Sequence, residues 1–180
     1  MNLIYINNGK SSVFDSQVLA LLNYYQKDSS FENIILLFGY RSQSDIDWVN
    51  EKNTRQIKVV FYKSYPNYPF FNFLIRRSLY QCIKGIVKVF GNSFYHIRGE
   101  MTSYYFSKIT NKLGVEKSSA LTDVRGVSWD EVNEFSGLNP ILKKLKLINL
   151  AKASRALKNE LKISVVTSRL KEYLVKQWKV

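Results

Sequence analysis

The sequence contains few of the residues that cross-link small domains. It has one cysteine, Cys82, and one histidine, His96, in 180 residues. One cysteine excludes an internal disulfide framework, and the pair does not supply the roughly four ligands of a structural zinc site. No run of about 20 apolar residues is present, so no segment is predicted to span a bilayer by itself. The first ten residues lack the charged start of a signal peptide and favour a first strand.

Acidic residues are scarce relative to basic ones. The chain has 14 Asp and Glu against 27 Lys and Arg, which gives a net charge of +13. Residues 141–180 hold eleven basic and two acidic residues, and residues 66–91 hold four basic residues and no acid. Such a charge attracts phosphates of nucleic acid, anionic lipid or nucleotide, although it also suits an ordinary soluble surface. With 46% hydrophobic residues, the chain is predicted to have a packed core.

Short apolar runs alternate with helical patterns along the whole chain. The predicted strands are 2–7, 33–38, 56–62, 93–97, 118–124 and 162–167. The predicted helices are 13–26, 44–52, 70–90, 102–113, 128–161 with a break at 137–140, and 169–178 capped by Ser168. This alternation predicts a single α/β domain over 1–180, a Rossmann-like doubly wound parallel sheet of about six strands with helices on both faces. The predicted strand order is 3-2-1-4-5-6.

The loop after the first strand is a candidate anion site. Asn8, Gly9 and Lys10 follow this strand, and ligands of an open parallel sheet bind outside the carboxyl ends of its strands. The loop has neither the G-x-G-x-x-G pattern nor the P-loop spacing, which disfavours nicotinamide and P-loop chemistry. One glycine before a helix still lets backbone N–H groups approach an anion. An ordinary strand-to-helix turn explains the same residues equally well.

Arginine-glycine pairs follow the fourth and fifth predicted strands. Arginine carries a fixed charge and several donors suited to phosphate or sugar hydroxyls, and glycine allows a sharp turn. His96 shares a strand face with the arginine two residues later, although a lone histidine more often has a structural role than a catalytic one. Solvent-facing arginines remain the simpler explanation of both pairs. The segments are Arg98-Gly99-Glu100 and Asp123-Val124-Arg125-Gly126.

Several segments together resemble the N-terminal, acceptor-side half of a GT-B glycosyltransferase. The resemblance is to the family-four-like group found in bacterial surface-polysaccharide clusters, including those for capsule and lipopolysaccharide. It covers most of the chain in the right order, although each segment alone is only moderately specific. The matching segments are the first strand and turn, 15–18 (DSQV), 95–100 (YHIRGE), 123–126 (DVRG) with 130–131 (DE), and 164–170 (SVVTSRL).

The resemblance implies how such a domain works. In the family, two Rossmann-like domains face each other across a cleft; the N-terminal one mainly binds the acceptor and the C-terminal one the nucleotide sugar. We find no counterpart of the second domain, so the resemblance implies a fragment or isolated acceptor domain that is inactive alone and exposes apolar surface that favours self-association. It implies a cytoplasmic hexosyltransferase at the inner face of the bacterial membrane, with no metal and no cofactor besides the nucleotide-sugar substrate.

The resemblance also assigns residues. Many members have a second histidine two residues after the position of His96, where this chain has Arg98, which favours a charge-stabilising role for the arginine. Positive groups at the cleft stabilise the negative charge that develops on a departing nucleoside diphosphate. We expect His96 and Arg98 to be catalytic. We expect acceptor or phosphate binding by Asn8, Gly9, Lys10, Gly99, Glu100, Asp123, Arg125 and Gly126.

The segment 68–90 has the composition of an interfacial membrane helix. It combines aromatic residues after two prolines with cations on the same predicted helix. We hypothesise that it docks on an anionic membrane, so that a lipid-linked acceptor can reach the cleft. A core helix with a basic edge explains the same pattern. The docking residues are Phe70, Phe71, Arg76, Arg77 and Lys84.

Two other classes of function remain as alternatives. A nucleic-acid-binding module would use the net positive charge and the interleaved aromatic residues. The sequence has no helix-turn-helix, RNP, KH or zinc-finger signature, so we expect no nucleic-acid partner. A non-catalytic Rossmann-like interaction domain would bind a protein partner and neither sugar nor nucleotide.

Overall fold

The strands form one parallel sheet. The computed structural model describes residues 1–28, 30–54, 57–126, 128–135, 137–159 and 162–179. The sheet has six strands in the order β3-β2-β1-β4-β5-β6, and all paired neighbours are parallel. The α/β Rossmann-like fold and the strand order predicted from the sequence are therefore confirmed. The strands are β1 (Asn2–Asn7), β2 (Asn33–Tyr40), β3 (Lys58–Lys63), β4 (Ser93–Arg98), β5 (Ala120–Val124) and β6 (Ile163–Val165).

Helices connect the strands and cover both faces of the sheet. A π-helical turn, Phe14–Leu19, leads into the first α-helix. A second one, Leu174–Trp178, continues the last α-helix. Short 3₁₀ turns lie at Pro69–Phe71, Lys117–Ser119 and Leu157–Asn159. The α-helices are α1 (Ala20–Gln26), α2 (Gln43–Lys52), α3 (Asn72–Phe90), α4 (Glu100–Ser107), α5 (Thr110–Leu113), α6 (Ser128–Phe135), α7 (Pro140–Ala156) and α8 (Ser168–Tyr173).

The central strand β1 is buried on both faces, because successive side chains of a strand point to opposite sides. Tyr5 belongs to the core beneath the first helix and α2, whereas Ile4 and Ile6 belong to the core beneath α3 and α4. α3 contributes one apolar stripe to the second core. Burial on both faces is the reason the strands appear in the sequence as continuous apolar runs. The stripe consists of Ile75, Leu79, Ile83 and Ile86.

Some predicted boundaries are wrong. β2 does not end before Gly39 but continues to Tyr40, since both residues pair with β3. Gly39 is tightly packed, because a Cβ there would lie 2.6 Å from Oδ1 of Asn8. The helix predicted over 102–113 begins at Glu100 and is divided into α4 and α5. The predicted helix 13–26 is π-helical in its first part, and β5 and β6 are shorter than predicted.

Helix ends also differ from the prediction. Thr167, not Ser168, caps α8, since its hydroxyl accepts from the backbone N–H of Leu170. The predicted helix starting at 128 begins there, since Ser128 is the first residue of α6. The helix predicted to end at 113 also ends there, where Gly114 follows α5 in the left-handed conformation with φ of 65°. The predicted boundaries at positions 56 and 161 lie outside the described residues.

Candidate functional site

A cleft lies at the carboxyl ends of β1 and β4. Its volume is about 330 Å³. Six of the ten predicted catalytic and binding residues line the cleft. Further residues that were not predicted as site residues also line it. A depression of about 380 Å³ lies between α1 and the end of α2, away from the carboxyl ends of the strands. The predicted lining residues are Asn8, Gly9, Lys10, Arg98, Gly99 and Glu100; the others include Asn67, Ser128, Glu131 and Lys146.

Gly99 shapes the turn between β4 and α4. Its φ is +85°, a conformation that favours glycine. Its N–H donates to the carbonyl oxygen of Asp123 at 2.9 Å, and its own carbonyl accepts from the N–H of Ser103 at 3.1 Å. The turn therefore joins β4 to β5 and starts α4. It also brings the residues on either side of Gly99 to the cleft.

Arg98 is a cation with an unused donor. Its Nη2 donates to Oε1 of Gln17 at 2.6 Å, which connects β4 to the π-helical turn before α1. Its Nη1 is buried and meets no hydrogen-bond geometry within the residues that the structure describes, although the Tyr5 hydroxyl interacts with the guanidinium: burial raises the pKa of Tyr5, and Arg98 opposes that rise. Within the residues that the structure describes, Arg98 forms no ion pair with a carboxylate. Because Arg98 lines the cleft and has no carboxylate partner in the described chain, its guanidinium can attract a phosphate or carboxylate group bound there.

His96 and Asp123 lie beneath the cleft and do not line it. The hydroxyl of Tyr25 is hydrogen-bonded to Nδ1 of His96 at 3.0 Å, and Nε2 of His96 is 3.6 Å from Oδ2 of Asp123. Tyr5 packs on the His96 ring with centroids 4.7 Å apart. The His96 side chain is only 5% exposed. In this arrangement His96 can influence the cleft through its neighbours; its catalytic role stays a prediction.

The carboxylate of Asp123 contacts the side chains of Arg125 and His96. Nε of Arg125 donates to Oδ2 of Asp123 at 2.6 Å. Burial raises the pKa of Asp123, but the neighbouring His96 and Arg125 lower it by more, so the net pKa lies below its ordinary value. The carboxylate is therefore ionised at neutral pH. Its pairing with Arg125 fixes the loop after β5 at the carboxyl edge of the sheet, although neither residue lines the cleft.

Glu100 begins α4 and is almost completely buried. Its Oε2 accepts from the hydroxyl of Ser154 at 3.3 Å, and its Oε1 has no hydrogen-bond partner within the described residues. Burial raises the pKa of Glu100 to about 7, with Glu131 and Asp130 adding to the rise and Ser154 and the Ser128 backbone opposing it. The carboxyl is thus close to half protonated at neutral pH. Its predicted role in acceptor binding stays a prediction.

The loop after β1 is held in place by its neighbours. Nζ of Lys10 donates to the carbonyl oxygen of Ser44 at 3.0 Å and lies 3.1 Å from Oδ1 of Asp45. Oδ1 of Asn8 accepts from Ser64 Oγ at 2.5 Å and from the hydroxyl of Tyr62 at 3.1 Å. Because Asp45 already pairs with it, Lys10 has less free charge for an anion than the sequence suggested.

Gly126 lies next to the side-chain carboxylate of Glu131. A Cβ at Gly126 would lie 2.5 Å from Oε1 of Glu131, so a larger residue there would make the end of this flexible side chain move. Glu131 lines the cleft, whereas Gly126 does not. The sequence resemblance included Glu131 in its 130–131 segment but did not assign it a binding role.

Buried asparagines connect the cleft to the helical layer. The side chains of Asn72 and Asn149 exchange two hydrogen bonds of 2.8 and 2.9 Å. The hydroxyl of Tyr105 donates to Oδ1 of Asn72 at 3.1 Å, and Nδ2 of Asn149 also donates to the carbonyl oxygen of Asn67. Asn67 lines the cleft. A signal was available in the sequence, since Asn149 stands between apolar residues of a helical pattern.

The described part of the chain holds neither a cluster of metal ligands nor a membrane-spanning helix. No group of three or more His, Cys, Asp or Glu side chains is placed to hold a metal ion among the described residues. None of the helices that the structure describes combines the length and apolar character needed to cross a membrane.

Comparison with known proteins gives a structural likeness. No protein-family model matches the sequence, and no curated protein matches it. The fold is similar to that of a crystal structure from Listeria monocytogenes described as a UDP-N-acetylglucosamine 2-epimerase, with a TM-score of 0.63 and 12% sequence identity. The match covers 99% of this chain and 43% of that chain, so the present chain spans less than half of the epimerase's length. The likeness supports a GT-B-like domain of Rossmann type and, at this identity, concerns the fold alone.

Proposed function

We propose that this chain is the acceptor-side half of a GT-B glycosyltransferase of bacterial surface-polysaccharide synthesis. The full enzyme would transfer a sugar from a nucleotide-sugar donor to a glycan or a lipid-linked acceptor. The observation that carries the proposal is the cleft at the carboxyl ends of β1 and β4, where Arg98 has a buried, unpaired Nη1 and no carboxylate partner in the described chain. The structural likeness to an enzyme described as acting on a UDP-sugar adds support.

The cleft has the chemistry that sugar transfer requires. An acceptor hydroxyl attacks the anomeric carbon while the bond from that carbon to the diphosphate breaks, and negative charge develops on the departing diphosphate. Arg98 and Lys146, which line the same cleft, would stabilise this charge. Glu131 and Asn67 provide acceptors and donors for sugar hydroxyls. The nucleotide would be bound mainly by the second half of the enzyme, so we expect no turnover from this chain alone.

Binding can be tested on the chain as it is. We would titrate ¹⁵N-labelled protein with UDP, UDP-sugars and short glycans and follow backbone amide shifts. The proposal predicts saturable shifts at Gly9, Gly99 and Lys146, and their weakening by at least about tenfold in Arg98→Gln, since a charged hydrogen bond contributes about 1.5 to 3 kcal/mol. Lys171→Gln, a matched loss of one exposed charge on α8, should leave the shifts unchanged. Because the second half of the enzyme would bind most of the nucleotide, the glycans decide the test: glycan shifts confined to other surfaces, or none at millimolar glycan, would overturn the proposal.

A sugar-nucleotide epimerase half is a second candidate. Epimerisation at a carbon atom removes a proton and returns one, a task suited to a carboxyl group with a pKa near neutrality. Glu100 lines the cleft and has a pKa raised to about 7 by burial. Deuterium incorporation into the sugar ring of a UDP-sugar in D₂O would favour this candidate, whereas a transferase should leave the ring hydrogens in place.

A further inference from the structure

A basic groove lies between α3 and the following two helices, outside the cleft. Arg76 and Arg77 of α3 line one side, and Lys108 and Lys112 line the other. The groove has a volume of about 360 Å³, and no acidic residue occurs among its described lining residues. Four cations from separate elements therefore converge on one surface without a carboxylate to neutralise them.

Large aromatic side chains are exposed at one end of this groove. Phe73 lines the groove, and both it and Phe70 are 61% exposed. Leu74 beside them is 39% exposed. Phe73 and Leu74 lie on α3 outside its buried stripe. Phe70 lies in the 3₁₀ turn before α3, where its ring packs on Tyr68 and Phe71 but stays largely exposed. Exposed aromatic residues next to cations are the features of a helix that lies in a membrane interface.

We propose that this surface docks on an anionic phospholipid bilayer. The four cations would contact lipid phosphates, and the two exposed phenylalanines would enter the boundary between head groups and acyl chains. We call it the basic-aromatic surface. It consists of Phe70, Phe73, Arg76, Arg77, Lys108 and Lys112.

The structure changes the docking residues expected from the sequence. Phe71 is half-buried, with its ring stacked on Tyr65 at 5.4 Å between centroids, so it offers less surface to a membrane than Phe70, which stacks on Tyr68 but is 61% exposed. Lys84 lies over the ring of Tyr80 at 5.9 Å, at the edge of the groove. Lys108 and Lys112, which the sequence did not single out, take a central place because α4 and α5 pack beside α3.

The position of the surface fits access to a lipid-linked molecule. Asn67 lines the cleft and precedes Phe70 by three residues, so the exposed aromatic end of the surface adjoins the rim of the cleft. Membrane docking does not depend on the proposed glycosyltransferase activity. If both hold, a lipid-linked acceptor would reach the cleft from the bilayer on which the protein lies.

Vesicle co-sedimentation tests the proposal. We would compare vesicles of phosphatidylcholine alone with vesicles of equal parts phosphatidylcholine and phosphatidylglycerol. Wild-type protein should bind the anionic vesicles and bind less as salt rises. Arg77→Glu combined with Lys112→Glu should weaken binding by at least about 25-fold, because each cation near an anionic surface contributes about fivefold. Both side chains are exposed, so the variant should fold.

Controls separate this surface from general charge. Lys171→Glu with Lys176→Glu makes the same charge change on exposed residues of the C-terminal helices and should alter binding less than about threefold. Phe70→Ser with Phe73→Ser should weaken binding without changing the charge. Arg76 is kept intact, since its Nε donates to the backbone of Asn72. Equal losses in both charge variants, equal binding to both vesicle types, or tighter binding to a short RNA than to anionic vesicles would each overturn the proposal.

Discussion

The side chains of Asn72 and Asn149 form a closed pair, each amide donating to the carbonyl oxygen of the other, although the residues are 77 positions apart in the chain. Asn72 begins α3 and Asn149 lies in α7, so the pair joins two helices of one layer. Because Asn149 also donates to the backbone of Asn67, the pair supports one wall of the cleft. A buried polar pair of this kind stabilises only when both members are present.

Asn149→Ala should therefore destabilise the protein strongly. The change removes the amide partner of Asn72 and leaves the polar atoms of Asn72 buried, at a cost of about 2 to 4 kcal/mol. Urea unfolding followed by circular dichroism measures this difference. Asn111→Ala, at an exposed helical position in α5, should change the unfolding free energy by less than about 0.5 kcal/mol. Similar values for the two variants would contradict the role given to the pair.

The same substitution should have opposite effects at two glycines. A Cβ at Gly39 would lie 2.6 Å from Oδ1 of Asn8 and 2.8 Å from the Tyr62 ring, whereas one at Gly85 in α3 has nothing within 4 Å. Gly39→Ala should destabilise by about 1 to 3 kcal/mol through overpacking. Gly85→Ala should stabilise by about 0.5 to 1 kcal/mol, because alanine favours a helix interior. Thermal unfolding of both variants measures the signs, and a stabilising Gly39→Ala would refute the packing argument.

Glu100 should make stability fall as pH rises. Its pKa in the folded state is raised to about 7, above the ordinary 4.5, so the folded state holds the proton more tightly than the unfolded state. Its contribution is complete below about pH 4.5 and is lost through pH 7, by on the order of 3 kcal/mol. Glu100→Gln should remove this dependence.

The measurement for Glu100 is urea unfolding at pH 5 and pH 8. The wild-type protein should lose more stability between these pH values than Glu100→Gln does. Glu51→Gln, at an exposed position in α2, should behave like the wild type. An unchanged pH dependence in Glu100→Gln would show that the buried carboxyl does not titrate in this range.

The contribution of Asp123 to stability should depend on pH with the opposite sign: it should fall as pH falls. Its pKa lies below the ordinary value, so its contribution is complete above about pH 4 and is lost as pH falls further. Asp123→Asn should destabilise by about 1.5 to 3 kcal/mol at pH 7, since the hydrogen bond from Arg125 loses its charged acceptor. It should also reduce the loss of stability in acid.

Acid unfolding followed by circular dichroism tests this second carboxylate. Asp47→Asn serves as a control, because Asp47 is exposed and accepts a hydrogen bond from Gln43 on the same helix. If Asp47→Asn and Asp123→Asn were equally mild, the Arg125 pairing would have no importance for the folded state.

Much of the cleft was predictable from the sequence. Parallel strands place all their carboxyl ends at one edge, so the loops containing Lys10 and Arg98 had to lie near each other once the strand order was known. The basic-aromatic surface was foreseen only in part: the sequence identified Phe70, Arg76 and Arg77, but not Phe73 or the two lysines that face the arginines from other elements. Gly39 was misjudged, since a glycine that permits close packing inside a strand resembles one that ends it.

The alternation of apolar runs and helical stripes by itself determined the α/β class, because that class follows from local periodicity, and it favoured the observed strand order through general rules of chain connection. Only the tertiary structure decided which polar groups share a partner. It buried His96 against Asp123, raised the pKa of Glu100 by placing it beneath α6 and α7, and joined Asn72 to Asn149. These properties depend on distances between elements that are far apart in the chain. The residues next to each of these positions in the sequence do not determine those distances.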